Sequence, residues 1–422
     1  MIETIQLQPG VTLRCCADTR FKQGCLSFQL VRPMDGAEAA LNALIPAVLL
    51  RGTRVHRDLR AITLRLDELY GASVGTLVRR VGDYQTTGLY CSFVEDRFCL
   101  PGDRVLAPMA DFLRELLLEP LTEKGGFSPA AFVESEKKNL ISTIESERND
   151  KRAYAMEKLF KTMCRGDSYG ISRLGEKEDV AKVGPAGLYA HYRRILQESP
   201  VEIFYVGSAP AKEVARLLEP VLAGIDRDFR PLLPQTGFHD GGGSNLTEEM
   251  DVAQGKLCMG YVTPVTNRDP EFAAAQVMNT VFGAGMTSKL FMNVREKYSL
   301  CYAIGSGYYA SKGIVAVSAG IDFDKEAQTR AEIARQLDAM RNGEITQQEL
   351  NAAKEALLSA LRGTHDSPGS IESYYATGAL SGMHMNPVQY MDAIRAVTAE
   401  QVAAEARRLK LHTTYFLKGA TE

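Results

Sequence analysis

An internal repeat in the order of strands and helices limits what this chain can fold into more than any other feature of its sequence. The first half contains, in order, a strand over 25–31, helices over 38–50 and 59–69, and strands over 73–81 and 85–94. The second half has the same order, with a strand over 256–262, helices over 270–282 and 288–297, and strands over 301–309 and 313–319. Equivalent segments lie about 230 residues apart, and so long a period predicts two homologous halves.

Long amphipathic helices follow the repeated segments in each half. They are predicted over 104–118 and 130–147 in the first half, and over 325–341 and 346–362 in the second. Apolar residues recur three and four positions apart, as in Leu113, Leu116 and Leu117, which is typical of a helix with one buried face. We therefore expect an α+β fold, with two α/β-sandwich halves whose sheets are mostly antiparallel, rather than a doubly wound sheet.

The composition of the sequence changes between the two halves. Pro231 and Pro234 precede the run Gly241-Gly242-Gly243-Ser244, and such a stretch suits neither a helix nor a strand. We expect a Gly/Pro-rich linker over 222–247, which separates an N-terminal half over 1–221 from a C-terminal half over 248–422. The alternative is one large domain with a glycine-rich surface loop.

Charge and apolar content exclude several classes of protein. The net charge is −3, so we expect no overall attraction to nucleic acid or to an anionic membrane. The apolar stretch Leu41–Leu50 has ten residues, whereas a membrane helix needs about 20. Glu3 and Pro9 interrupt the N-terminus, which lacks the apolar core of a signal peptide. Eight cysteines without a C-x-x-C pair are typical of reduced thiols, and we expect a soluble, cytoplasmic protein.

Motifs spread over the chain occur in a fixed order. An apolar run ends in Arg51-Gly52-Thr53, the stretch 169–207 carries spaced tyrosines and glycines, and 282–291 is followed by the segments 294–297 and 300–302. In this order they resemble the pitrilysin/insulinase family of zinc peptidases, and the resemblance covers nearly the whole chain. It is nearest to bacterial non-catalytic members that accompany an active sister protein. The resemblance implies two halves that form a clam around a cavity.

The same resemblance locates a zinc motif whose residues are missing here. In the family, H-x-x-E-H places two histidines on one helical face to bind Zn²⁺, and its glutamate acts as general base. The histidine positions match Ala43 and Ala47, the glutamate position matches Pro46, and the third ligand falls near Thr143. Methyl groups and a proline cannot bind zinc, so we expect no metal, no cofactor and no catalytic residue. Pro46 also predicts that the helix begins or bends at that point.

Other kinds of chemistry have little support in the sequence. No two of the six histidines lie within five residues of each other, so no helical pair of ligands can form, although a site built from distant histidines stays open. There is no G-x-S-x-G motif, and Gly283-x-Gly285 lacks the rest of a dinucleotide or phosphate-loop motif. A lone cysteine nucleophile also stays open, but a buried thiol is the simpler interpretation.

Two residues of the second half could still act on a peptide. By resemblance, Arg295 and Tyr302 match an arginine and a tyrosine that hold the substrate backbone; the alternative is an ordinary ion pair and a core tyrosine. Residues 283–288 are expected to begin a helix, or else to gate substrate. We expect a non-catalytic homologue that pairs with an active, H-x-x-E-H-bearing sister subunit and helps to bind extended peptide. The alternative is a stand-alone peptide-binding or scaffolding homodimer.

Overall fold

The computed structural model describes residues 2–419, which form two compact units. The first unit contains the chain up to Glu145 together with Ile171–Pro234 and His365–Thr377. The second unit contains Ser146–Gly170, Gln235–Thr364 and the chain from Gly378 onward. Each unit is therefore built mainly from one half of the sequence and receives one shorter segment from the other half.

The strands and helices are numbered along the chain. The strands are β1 (Ile2–Gln8), β2 (Val11–Ala17), β3 (Gln23–Pro33), β4 (Ser73–Val81), β5 (Tyr84–Val94), β6 (Thr122–Glu123), β7 (Gly126–Phe127), β8 (Val201–Gly207), β9 (Asn245–Met250), β10 (Gly255–Val262), β11 (Ala303–Tyr309), β12 (Ile314–Ile321) and β13 (Lys410–Gly419). The helices are α1 (Gly36–Leu49), α2 (Leu59–Glu68), α3 (Leu106–Leu118), α4 (Ala130–Glu147), α5 (Lys151–Met163), α6 (Lys177–Lys182), α7 (Pro185–Glu198), α8 (Ala211–Ala223), α9 (Phe272–Phe282), α10 (Glu326–Arg341), α11 (Gln347–Gly363), α12 (Pro368–Ser381), α13 (Pro387–Ala396) and α14 (Ala399–Arg408). A π-helix, Leu290–Lys297, lies between α9 and β11.

The two large sheets have the same topology. In the first unit the strand order is β1-β2-β8-β3-β5-β4, and in the second it is β11-β12-β10-β13-β9. Without β1, the first order corresponds strand by strand to the second order written in reverse. Each sheet has one parallel pair, β2 with β8 and β9 with β13, and its other pairs are antiparallel. The predicted α+β fold of two homologous halves with mostly antiparallel sheets is confirmed.

Both faces of each sheet are covered. The helices of each unit pack on one face and enclose its main apolar core. On the other face of the first sheet, Ile371 of α12 packs against Cys16, Cys25 and Val206. On the other face of the second sheet lie residues of α5, including Tyr154. Burial on both faces explains why all eight residues of β12 are buried and do not alternate with polar ones.

Local sequence explains where the main helices begin. The carboxylates of Asp35 and Asp58 accept backbone N–H groups of the first turns of α1 and α2. Thr346 and Thr398 form capping boxes with Glu349 and Gln401 at the starts of α11 and α14. Such caps satisfy N–H groups that have no partner within the helix.

The predicted linker region contains no helix or strand between Ala223 and Asn245. It is nevertheless held by side chains within each unit. Arg227 donates to the carbonyls of Leu196 and Ser199 at 2.8 and 2.6 Å. In the second unit, buried Lys312 contacts the Gly237 carbonyl at 3.5 Å. The boundaries proposed for the two sequence halves remain a prediction, because the compact units exchange segments across them.

Within residues 2–419, no helix combines the length and apolar character needed to cross a lipid bilayer.

Candidate functional site

The residues that match the lost zinc motif lie on two helices of the first unit. Ala43 and Pro46 of α1 are buried and Ala47 is half-buried, whereas Thr143 of α4 is exposed. The Thr143 hydroxyl donates to the carbonyl of Asn139 at 3.0 Å, one turn earlier in its own helix.

The end of α1 is tied to α4 by the Arg51-Gly52-Thr53 turn. Arg51 lies 3.3 Å from the carboxylate of Glu136 and 5.0 Å from the ring centre of Phe132. Gly52 is needed here, because a Cβ at this position would lie 2.8 Å from the carbonyl oxygen of Arg57. The turn therefore keeps the two helices of the degenerate motif adjacent although the motif itself is absent.

The side chains at these positions do not suit a zinc ion. Zn²⁺ in proteins binds imidazole nitrogen, thiolate sulfur or carboxylate oxygen, and Ala43, Ala47 and Pro46 offer none of these. Nor is there a carboxylate at residue 46 to accept a proton from water. Throughout the described range 2–419, no group of three or more His, Cys, Asp or Glu side chains is arranged to hold a metal.

A buried polar network stands beside the degenerate motif. Proline has no N–H, so Pro46 cannot make the helical hydrogen bond to the carbonyl of Asn42. That carbonyl instead accepts the hydroxyl of Thr87, on β5, at 2.6 Å. The Asn42 side chain donates to Gln85 at 2.8 Å and accepts from His191 at 2.7 Å. Because Thr87 replaces the missing bond, α1 runs through Pro46 to Leu49, and the expectation that the helix begins there is wrong. A bend at Pro46 stays a prediction.

His191 is a neutral member of this network. Burial is the main cause that lowers its pKa from 6.5 to about 4, and the neighbouring Arg194 lowers it further. Arg194 donates to Nδ1 at 2.9 Å, so Nε2 carries the proton that Asn42 accepts. A histidine whose two nitrogens are engaged in this way is a structural residue, not a metal ligand.

Two other histidines pair with carboxylates. His56 Nδ1 lies 2.7 Å from Glu115, and its ring packs edge-on against Phe112. His412 Nε2 lies 2.9 Å from Asp240. Each contact joins one histidine to one carboxylate. Two ligands are fewer than the three or four protein ligands of a typical zinc site.

The structure brings Arg295 and Tyr302 to one cavity of the second unit. This cavity has a volume of about 320 Å³ and is also lined by Asp322 and Lys325. Arg295 stacks over the ring of Phe291 at 4.6 Å and is 41% exposed, while the 63% exposed Tyr302 donates to Asp322 at 3.1 Å. Neither side chain is buried in the core, so both remain accessible to a ligand.

A larger groove lies against β11 in the same unit. Its volume is about 730 Å³, and the residues that line it are Asp150, Arg152, Ala153, Met156, Gly283, Ala284, Gly285, Met286, Phe291, Ile304, Gly305, Ser306, Gly307, Tyr309, Ala316 and Ser318. Four of them are glycines, which leave backbone groups accessible. β11 is the outermost strand of its sheet.

The loop that follows α9 forms one wall of this groove and also begins the next helix. The carbonyl of Gly283 accepts the backbone N–H of Ser306 on β11 at 3.0 Å. The hydroxyl of Ser288 donates to the carbonyl of Gly285 at 2.6 Å, and Lys289 then leads into the π-helix. The helix predicted over 288–297 thus exists, but its regular part is a π-helix, a form often found at functional sites.

Comparison with known proteins shows which family the chain resembles. A model described as the peptidase M16 inactive domain matches residues 182–357. The probable inactive metalloprotease YmfF of Bacillus subtilis (strain 168) is 29% identical over 97% of this chain and 96% of its own length. The chain is a homologue of the M16 peptidases.

Solved structures extend this similarity over the full length of the M16 homologue. A conserved protein from Enterococcus faecalis V583 has a TM-score of 0.91 at 28% identity, covering 100% of this chain and 99% of that one. A peptidase M16 inactive domain from Pseudomonas fluorescens has a TM-score of 0.82 at 17% identity, covering 100% and 98%; this second similarity shows the shared fold alone. The resemblance to the pitrilysin/insulinase peptidases is confirmed.

The chain is a catalytically inactive peptidase homologue. The family description and the name of the Bacillus relative both state inactivity. Residues 43, 46, 47 and 143 are predicted to occupy the motif positions, and none of them supplies a zinc ligand or a general base, which agrees with inactivity.

Part of the groove could not be predicted from the sequence. Asp150, Arg152 and Met156 come from the first half of the chain but belong to the second unit through α5. No motif marks them, since only the exchange of segments places α5 beside β11. The glycines at 283 and 285 were recognised in the sequence as a motif, but not as the wall of a groove.

Proposed function

We propose that this M16 homologue is a non-catalytic subunit that binds an extended peptide and pairs with an active homologue carrying H-x-x-E-H. The observation that supports peptide binding most directly is the groove against β11. An extended chain can lie beside an outermost strand and exchange backbone hydrogen bonds with it. The four glycines of the groove allow a backbone to approach closely.

The groove is lined by both apolar and charged side chains, which suits a peptide whose own side chains vary. Met286 is 76% exposed, and Phe291 and Ile304 add apolar surface. Asp150 and Arg152 provide one charge of each sign. This combination favours a ligand with a regular backbone and varied side chains over a single small molecule.

Arg295 and Tyr302 supply directional donors in the neighbouring cavity. A guanidinium presents several N–H donors in one plane, and a phenol adds one hydroxyl. Both could bind peptide carbonyls, which supports the role that the family resemblance implies for them.

The features that the chain has kept and lost support its pairing with an active homologue. It has kept both homologous units and the turn that joins α1 to α4, but not one of the groups needed for zinc hydrolysis. A subunit that completes a binding chamber needs the fold without the metal. We place the protein in the cytoplasm, which suits its eight free cysteines.

Filling the groove tests peptide binding. Gly305 can accept a side chain, since an added Cβ would meet only the Gly283 carbonyl oxygen at 3.5 Å. We expect Gly305→Phe to weaken binding of fluorescein-labelled unstructured 12-residue peptides at least about tenfold in fluorescence anisotropy, because the ring would occupy the peptide's space. Gly184→Phe is the matched control, since Gly184 has nothing within 4 Å of an added Cβ and does not line the groove.

The same assay tests the second cavity. Arg295→Ala and Tyr302→Phe should each weaken binding of the peptides that Gly305→Phe affects, by removing a donor. Unchanged affinity in both variants would remove these residues from the site while leaving the groove itself in place.

Purification from the native cell tests pairing. We expect a homologue with intact H-x-x-E-H to accompany this chain at one to one, and the pair to hold one zinc per two chains by metal analysis. A homodimer without such a homologue in analytical ultracentrifugation would favour the scaffolding alternative and contradict pairing.

A further inference from the structure

A short segment of the first unit carries charge quite unlike the rest of the chain. Between Arg51 and Arg65 there are five arginines and a single acidic residue, Asp58, although the whole chain has a net charge of −3. Six exposed residues of this segment are defined here as the arginine patch: Arg54, Val55, Arg57, Leu59, Arg60 and Leu64; Asp58 and Thr63 between them are exposed as well.

Three arginines of the patch lack carboxylate partners. Arg51 and Arg65, which lie at the ends of the segment and outside the patch, form ion pairs with Glu136 and Glu68 at 3.3 and 3.0 Å. The guanidinium groups of Arg54, Arg57 and Arg60 are exposed and have no carboxylate within 4.0 Å in the part of the chain that the structure describes. Their positive charge is therefore directed to solvent and not neutralised locally.

Large apolar side chains lie between these arginines. Val55 is 65% exposed, Leu59 53% and Leu64 54%. Of the ten residues of α2, only Ile62 is fully buried. Three exposed aliphatic side chains within ten positions are an unusual use of surface in a protein whose cores are otherwise well formed.

Hydrogen bonds fix the backbone conformation of the arginine patch. The backbone N–H of Arg54 donates to the carbonyl of Glu119 at 2.8 Å, and that of His56 donates to the Thr53 hydroxyl at 2.8 Å. The Asp58 carboxylate caps α2 through the N–H of Ala61 at 2.8 Å. A preorganised surface loses little entropy when a partner binds.

We propose that the arginine patch is a docking surface for a protein that presents carboxylates around an apolar contact, and that this partner is the active homologue. The second part rests on the pairing proposed above. Arginine is enriched at protein interfaces, where its planar donors bind carboxylates in pairs. The three unpaired guanidinium groups specify an acidic partner surface.

Other classes of partner fit the patch less well. A nucleic acid backbone offers phosphates but no contact for Val55, Leu59 and Leu64. A helix that lies on a membrane needs a continuous apolar face, whereas exposed Arg60 and Thr63 separate Leu59 from Leu64 on α2. Asp67 and Glu68 are also exposed on α2 and would be repelled by anionic lipid.

Charge reversal tests the proposal. The triple variant Arg54→Glu, Arg57→Glu and Arg60→Glu is compared with Lys22→Glu, Lys212→Glu and Arg216→Glu, three exposed cationic residues outside the patch. Binding to the purified homologue with intact H-x-x-E-H is measured by biolayer interferometry over a range of salt. We expect the patch variant to bind at least about 100-fold more weakly and the control to change less than about threefold.

A second variant tests the apolar part of the patch. Leu59→Ser with Leu64→Ser keeps all the charges and should weaken binding about tenfold with little change in salt dependence. Since both side chains are more than half exposed, the melting temperature should stay that of the wild type.

Each contrary outcome has its own meaning. If the wild type binds the homologue and the patch variant binds equally well, the docking surface is wrong and pairing stands. If the wild type does not bind the homologue, both the proposed pairing and the proposed docking surface are wrong. If the wild type binds vesicles of anionic phospholipid and the patch variant does not, the patch faces a membrane and the proposal is overturned.

Discussion

At the scale of single residues, His191 shows how burial decides a protonation state. Its side chain is only 6% exposed, and both ring nitrogens are engaged, by Arg194 and by Asn42. A proton added at Nδ1 would face the Arg194 guanidinium. The nearby carboxylate of Glu38 favours the charged form but is itself bonded to Arg194 at 2.6 Å. Burial therefore prevails, and the folded protein holds the neutral imidazole.

This depressed pKa predicts a pH dependence of stability. Above pH 6.5 both the folded and the unfolded chain carry neutral histidine, and the contribution of His191 is fully present. As the pH falls from 6.5 towards the folded value of about 4, only the unfolded chain takes up the proton, so stability is lost. We expect His191→Gln to remove about 2–3 kcal/mol of this loss between about pH 7.5 and pH 4.5.

Urea unfolding followed by circular dichroism at both pH values measures the effect. The quantity to compare is the difference in unfolding free energy between wild type and variant, because other titrating groups cancel in it. A difference that stays constant between the two pH values would contradict the neutral, buried state of His191.

At the scale of elements, Pro46 and Thr87 show how a helix survives an interior proline. Proline in a helix typically costs about 3 kcal/mol, partly through the lost hydrogen bond. Here the carbonyl left without its helical N–H is that of Asn42, and Thr87 of β5 donates to it from a fully buried position. The cost of the proline is thus reduced by a residue of a different element.

We predict coupling between these two residues. Thr87→Val should destabilise the wild type by about 1–3 kcal/mol, because it leaves the Asn42 carbonyl buried and unpaired. In a Pro46→Ala background the restored N–H of residue 46 can bond to that carbonyl, and the same change should then cost less than about 1 kcal/mol.

A double-mutant cycle by denaturant unfolding gives the coupling energy. Thr86→Val serves as control, since Thr86 is equally buried on β5 and its hydroxyl has no hydrogen-bond partner among residues 2–419. Equal costs of Thr87→Val in both backgrounds would show that Thr87 does not compensate for the proline.

At the scale of the whole molecule, the exchange of segments makes each unit depend on distant sequence. Glu372 of α12 is fully buried in the first unit and is paired with Arg79 at 2.9 and 3.1 Å. It also accepts hydrogen bonds from Ser27 at 2.8 Å and Gln29 at 2.9 Å. These two polar residues of β3 are themselves fully buried and need the carboxylate of Glu372 as a partner.

A fragment of residues 1–221 should therefore not fold like the intact unit. Without residues 365–377, Arg79, Ser27 and Gln29 lose their partner, and the apolar cluster around Cys16 and Cys25 is uncovered. We expect no cooperative melting transition and strong binding of a hydrophobic dye. Fusing residues 365–381 to the fragment through a flexible linker should restore both properties, whereas fusing the same segment with Glu372→Ala should not. A bare fragment that melts like the intact protein would contradict this dependence.

Much of the fold could be predicted from sequence because local patterns recur in both halves. The bounds of β4 and α4 agree with the prediction, those of β10 differ by one residue at one end, and those of α11 differ by one residue at each end. The degenerate motif could also be found, because it depends on residue identity at fixed spacing. The compensation at Pro46 could not, since residues 42 and 87 are distant in sequence and nothing local marks their contact.

By itself the sequence determined two homologous α+β halves and the resemblance to zinc peptidases, and it predicted the loss of the zinc ligands. These follow from periodicity, repeat spacing and side-chain chemistry, all of which are given by the order of residues alone. Only the tertiary structure decided where α5 and α12 are placed, which groove borders β11, and which arginines stay without partners. Those features depend on contacts between segments far apart in the chain, and such contacts are set by the packing of the whole fold.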